Sequence, residues 1–150
     1  MKGRTYRYFE GEPLWPFGYG LSYTTFSYSG LTLPDAPIDA GDSLSTSVTV
    51  TNTGKLAGDE VVQLYLKFPD VAGAPIRALR GFQRIHLEPG ASQKVEFSLN
   101  PRDLSMVTES GDIIVARGTY TVSVGGGQPG TSIPSVSGNF EVKGQVTLPE

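Results

Sequence analysis

From about residue 25 onward, apolar and polar positions alternate with a period of two, the pattern of half-buried strands. In SLSTSVTVT (43–51), Leu44, Thr46, Val48 and Val50 share one face and small polar residues the other. EVVQLYLKF (60–68) puts Val62, Leu64, Leu66 and Phe68 on one face. Val61 and Tyr65 lie opposite with Gln63 and Lys67, so that face is expected to be partly covered as well. KVEFSL (94–99), TYTVSV (119–124) and GNFEV (138–142) alternate in the same way, and TFSYSGLTL (25–33) supplies a first strand. IRALRGFQRIHL (76–87) alternates less regularly, and Gly81 within it predicts a bulge or bend. Turn chemistry separates the runs: Pro34 to Gly41, Asn52-Thr-Gly-Lys, Phe68-Pro-Asp, Glu88-Pro-Gly and Gly125 to Gly130. No long stretch carries a helical stripe. PRDLSMV is the best short candidate, with Asn100 capping a single turn begun by Pro101.

About seven strands separated by turns predict an all-β Greek-key sandwich of two sheets, with an eight-stranded barrel as the competing architecture. GTYTVSV favours an immunoglobulin-like sandwich. It places Tyr120 two residues before Val122 in the penultimate strand, where a tyrosine corner returns its hydroxyl to the upstream backbone. The simpler account of Tyr120 is a tyrosine with ordinary strand preference.

The N-terminal arm breaks the pattern. PLWPFGYGLSYTTF (13–26) holds two prolines, two glycines, five aromatic rings and no charge. With TYRYF (5–9) just before it, eight of the chain's 15 aromatics fall within the first 26 residues. The expected organisation is therefore an arm over 1–24, a sandwich over 25–143 and a C-terminal tail over 144–150.

Composition narrows the function. One domain fits in 150 residues, and a net charge of −3 gives no basic footprint for nucleic acid or an anionic membrane. No apolar run approaches the ~18 residues that would span a bilayer. MKGRTYRYFEGE lacks the apolar core of a signal peptide, and its start reads as a truncation. The chain has no cysteine, which removes disulfides, thiolate metal sites and thiol catalysis without fixing the compartment.

Candidate chemistry is sparse. His86 is the only histidine, and neither a ligand spacing nor a nucleophile elbow accompanies it. Asp59 and Glu60 are adjacent on a strand and point to opposite faces, so they are no catalytic pair. GYG (18–20) and GGG (125–127) lack phosphate-loop context and read as bends. RALRGFQR gathers Arg77, Arg80 and Arg84 beside Phe82, either a small anion or partner patch or a solvated face. Trp15 suits a sugar-stacking platform or an anchor against another protein surface. No catalytic, cofactor-binding or metal-ligating residue is assigned.

TYRYF, PLWPFGYGLSYTTF, VTVTNTGKLAGDEVVQLYL, RALRGFQRIHLEPGASQKVEFSL and GTYTVSVGG occur in that order. Together they resemble the C-terminal fibronectin type III-like domain of family 3 glycoside hydrolases, the β-glucosidases and β-xylosidases, over residues 4–142. The resemblance implies a non-catalytic accessory domain. In that family the nucleophile lies in a (β/α)₈ barrel and the acid/base residue usually in the following α/β sandwich domain. Those two domains are the partners it implies, and the family's enzymes are often secreted or periplasmic. The arm falls at the junction with the catalytic part, so Tyr6, Tyr8, Phe9, Trp15, Phe17 and Tyr19 are expected as inter-domain contacts. Phe26 and some of the other rings are expected on the sandwich itself. Self-association through the arm, and polysaccharide binding by exposed aromatics, are the alternatives.

Overall fold

The computed structural model describes residues 5–149. Residues 1–4 of the expected arm and Glu150 of the expected tail lie outside it.

In chain order the strands are β1 (Phe26–Thr32), β2 (Ile38–Asp39), β3 (Leu44–Asn52), β4 (Gly58–Lys67), β5 (Ala78–Leu87) and β6 (Ser92–Leu99). A helical turn, α1 (Pro101–Leu104), precedes β7 (Met106–Val107), β8 (Ile113–Val115), β9 (Gly118–Gly125), β10 (Ser135–Lys143) and β11 (Val146–Leu148). One sheet has the order β1-β3-β6 and faces a second with the order β2-β10-β9-β4-β5. This is the sandwich that the alternation predicts. The inward positions are the expected ones: Leu44, Val48 and Val50 of β3, Val62, Leu64 and Leu66 of β4, and Val122 and Val124 of β9 are fully buried. Register keeps these faces aligned, with Val48 opposite Val95, and Leu64 opposite Val124.

Gly81 sits at the β5 irregularity. Leu64 pairs with Gly81 and Tyr65 with Leu79, which leaves Arg80 as the extra residue. A Cβ at Gly81 would stand 2.8 Å from the Phe97 ring of the facing sheet, so glycine lets the layers close there. The helical turn also forms. Asn100 Oδ1 accepts from the Asp103 N–H at 3.1 Å, and Asp103 Oδ2 accepts from the Asn100 N–H at 2.9 Å.

A third small sheet, β11-β8-β7, has no counterpart in the expected organisation. It covers one end of the sandwich with Met106, Ile114 and Val115. The stretch after residue 143 is therefore more than a tail. Val146 to Leu148 pair with β8, and Arg102 Nη1 donates to the Pro149 carbonyl at 2.9 Å.

Asn52 joins the layers. Its Oδ1 accepts from the Thr24 hydroxyl at 2.7 Å and the Gly54 N–H at 3.0 Å. Its Nδ2 donates to the carbonyls of Leu56 at 2.8 Å and Leu87 at 2.9 Å. A fully buried amide is thus fully satisfied, and it ties β3, the end of β5 and the base of the arm together.

Candidate functional site

The outward face of β4 carries two buried residues, Gln63 and Tyr65, and the arm is what covers them. Gln63 Nε2 donates to the Gly18 and Gly126 carbonyls, each at 3.2 Å, and Gln63 Oε1 accepts from the Tyr65 hydroxyl at 2.7 Å. Burial pushes the Tyr65 phenol pKa upward. Gly18 has φ +76°, and a Cβ there would collide with the Gln63 amide. The Phe17 carbonyl accepts from the Gln128 N–H at 3.2 Å, and the Phe17 N–H donates to Gln128 Oε1 at 3.3 Å.

These contacts divide the expected contact residues into two groups. Tyr6 stacks on Phe17 with centroids 4.2 Å apart, meets Tyr65 edge-on, and accepts from the Leu79 N–H at 3.2 Å. Tyr8 is half-buried beneath the Arg7 guanidinium. Tyr6 is therefore engaged by the sandwich, whereas Phe17 is held through its backbone and its side chain is exposed like those of Phe9 and Tyr19. Phe26 is in the core. Phe9, Trp15 and Tyr19 are exposed, and Trp15 leans on Tyr19 at 4.9 Å with a 46° tilt between the rings.

Three exposed residues fall outside the sequence expectation. Leu14, Leu21 and Tyr23 are 95%, 90% and 98% exposed, more than any of the six predicted contacts. Their signal is the uncharged stretch itself, which has no charge from Pro13 to Phe26. Phe82, on the outward face of β5, is 69% exposed and adds an apolar spot on the same sheet.

Polar groups are placed without a catalytic constellation. Asp59 bridges two cross-strand neighbours, accepting from Arg84 Nε at 2.9 Å and lying 2.5 Å from His86 Nδ1. Hydrogen bonding to His86 first, then to Arg84, holds the Asp59 carboxyl below its usual range. The same bond raises His86. Glu60 points inward, one step along from Val62, and accepts from the Tyr28 hydroxyl of the opposite sheet at 2.5 Å. Burial raises the Glu60 carboxyl, with the Tyr28 bond opposing it. This pair lines a cavity of about 550 Å³ with Leu21 and Ile133. Among the described residues no group of three or more His, Asp or Glu side chains is placed to hold a metal.

The Tyr120 hydroxyl donates to the Ala116 carbonyl at 2.9 Å and accepts from the Ala116 N–H at 3.0 Å. Burial pushes its pKa up to about 12.

The described residues form an immunoglobulin-like sandwich with an aromatic arm laid across one face, and that fold by itself assigns no activity. Residues 60–128 match the fibronectin type III-like domain. A β-xylosidase of Formosa agariphila is 42% identical over 134 residues, which cover 88% of this chain and 18% of that protein. A probable β-glucosidase D of Aspergillus oryzae is 43% identical over 141 residues, covering 81% of this chain and 19% of its own length. Among solved structures, β-glucosidase 3B of Thermotoga neapolitana in complex with α-D-glucose superposes with a TM-score of 0.82 at 35% identity, over 95% of this chain and 19% of that one. A β-glucosidase of Listeria innocua gives a TM-score of 0.79 at 30% identity, over 92% and 19%. The chain thus spans less than a fifth of the relatives it matches. It carries the fibronectin type III-like domain of family 3 glycoside hydrolases, and what it shares with these enzymes is that domain, not their catalytic part.

Proposed function

We propose that this chain packs on the catalytic domains of a β-glucosidase-type glycoside hydrolase and supports their arrangement, docking through the exposed side of its arm. One observation carries this reading: Leu14, Trp15, Leu21 and Tyr23 are 95%, 71%, 90% and 98% exposed within one uncharged stretch. Large apolar side chains left in solvent together along one stretch of chain suit an interaction site. At about 25 cal/mol per Å², burying these side chains drives docking. Arm ordering, the usual opposing cost, is already met in part by Gln63, Gln128 and Tyr65. Phe9, Phe17 and Tyr19 extend the contact, while Tyr6 and Tyr8 act one layer beneath as its support. Within the sandwich, Tyr120 serves as a tyrosine corner that fixes the turn into β9.

The test is calorimetry of this chain against the catalytic part of a similar β-glucosidase expressed without its fibronectin type III-like domain. Association that raises the thermal stability of the catalytic part supports the reading. Concentration-dependent dimerisation without association would assign the arm to self-association instead.

A cleft of about 840 Å³ beside Trp15, edged by Glu10, Glu12 and Arg77, supports a second reading as a carbohydrate-binding module. The 46° tilt of Trp15 against Tyr19 does not make a flat platform for a polymer surface, which places this reading second. Retention of this chain on an insoluble polysaccharide, lost in Trp15→Ala, would promote it.

A further inference from the structure

Among the described residues, three buried side-chain nitrogen or oxygen atoms have no hydrogen-bond partner: Thr5 Oγ1, Arg7 Nε and Arg80 Nε. They lie on two segments that are fastened to each other. Thr5 and Arg7 belong to one turn of the arm, where the Thr5 carbonyl accepts from the Tyr8 and Phe9 N–H groups at 2.9 and 2.8 Å. That turn is fastened to the approach to β5, with the Arg7 carbonyl accepting from the Ile76 N–H at 2.7 Å and the Tyr6 hydroxyl from the Leu79 N–H at 3.2 Å. Arg80 follows Leu79 directly, as the extra residue of the β5 bulge. Its guanidinium lies 5.4 Å from the Phe68 ring, and its Nη2 donates to the Ser105 carbonyl at 2.7 Å. Burial lowers the Arg80 pKa, and the charge of Arg7 lowers it further.

Arg7 and Arg80 thus lie on two segments fastened to each other, each with a buried Nε that has no partner, and no described ion pair includes either of them. Asp103 acts on Arg80 only through space, its carboxylate being bonded to the Asn100 N–H at 2.9 Å. The contrast lies further along the same strand, where exposed Arg84 has Asp59 as its partner. Buried charged donors are paired in folded proteins, because an unpaired one forfeits its hydration without compensation. A neutral acceptor would satisfy a single donor and leave the positive charges uncompensated. A carboxylate answers both needs, since Nε and the neighbouring Nη of a guanidinium form a fork matched to its two oxygens.

We propose that Thr5, Arg7 and Arg80 form a receptor for a carboxylate that this chain does not supply, an acidic side chain on the catalytic surface where the arm docks. The inference rests on the inter-domain reading and adds the chemistry that orients it. Apolar contact by Leu21 and Tyr23 supplies area, and the two guanidiniums supply register. Entry of the carboxylate shifts the Thr5–Phe9 turn, which carries two of the three unpartnered groups.

The experiment uses this chain and the catalytic part of the Thermotoga neapolitana β-glucosidase lacking its fibronectin type III-like domain, titrated at low and high salt. Arg7→Met and Arg80→Met are each expected to weaken association at least about tenfold at low salt and to flatten its salt dependence. Arg80→Lys restores the salt dependence but not the full affinity, because an ammonium lacks the fork. Leu21→Ser weakens association and leaves the salt dependence unchanged. Wild-type association by both methionine variants overturns the receptor while leaving the inter-domain reading intact. If wild type itself does not associate, the inter-domain reading fails, and acetate titration of the isotope-labelled chain decides the receptor. Saturable shifts of the Arg7 and Arg80 Nε–Hε signals, with Arg84 unmoved, keep a free-carboxylate site; signals that do not shift overturn it.

Discussion

The Gln63 amide donates to the Gly18 carbonyl at 3.2 Å across 45 positions of sequence, and this bond fixes where the arm crosses the outward face of β4. Tyr6 is turned inward against Tyr65, and Leu21 and Tyr23 are left in solvent.

Gly18→Ala is expected to release the arm. The residue sits at φ +76°, and a methyl group would displace the Gln63 amide. Strain plus the lost buried hydrogen bonds amount to about 1–3 kcal/mol of local stability. Hydrogen exchange at the Gln128 and Ile76 amides, which bond the arm, should accelerate while amides within β3 and β6 keep their protection.

Asn52→Ala strips four hydrogen bonds from one buried position and leaves the Leu87 carbonyl and Thr24 hydroxyl without their partner. A loss of about 3 kcal/mol or more is expected in urea unfolding, since each orphaned buried group costs about 1–3 kcal/mol. Tyr120→Phe removes a hydroxyl that both donates to and accepts from Ala116, with an expected loss of about 1–3 kcal/mol.

Much of this fold is legible in the chain, because long strands that bury one face must alternate. All seven runs read from alternation are strands, and Asn100-Pro101 begins the helical turn α1. β2, β7, β8 and β11 are two or three residues long, too short for a period to show. Alternation extended one step back from Val62 also places Glu60 inside, a signal present in the sequence. The arm is different. Its path is set by Gln63 and Gln128, which are 45 and 111 positions from the residues they hold, so no local pattern records it. A reading that weighs rings above aliphatic side chains selects Tyr6, which the sandwich engages, and passes over Leu14 and Leu21, which it does not.

The Glu60 carboxyl makes a pH prediction. Burial raises its pKa in the folded state above the ordinary value of 4.5. The unfolded chain therefore releases this proton first as pH rises. The stability tied to Glu60 is full below 4.5 and is lost as pH climbs through the raised folded value. Glu60→Gln keeps an acceptor for Tyr28 and removes that loss. Its stability relative to wild type should rise from acid to neutral pH in urea titrations. Asp59, with a lowered pKa, has the opposite sign: its contribution is present above 3.8 and is lost as pH falls through the lowered value. A flat difference between Glu60→Gln and wild type across this range would contradict the buried-carboxylate account.

Tyr23→Ser and Leu21→Ser should leave unfolding of the isolated chain within about 0.5 kcal/mol of wild type, because both side chains meet solvent rather than the sandwich. Chemical denaturation checks this, and a larger loss would mean that the arm's outer side belongs to the domain's own core.

Trp15 is the only tryptophan, and it lies 71% exposed on the surface proposed for docking. Its fluorescence therefore reports directly on the central claim. On mixing this chain with the catalytic part of a similar β-glucosidase, read through a tryptophan analogue incorporated only here, the emission should shift to the blue and resist acrylamide quenching. An indole that stays solvent-exposed and freely quenched in the mixture would contradict docking through the arm.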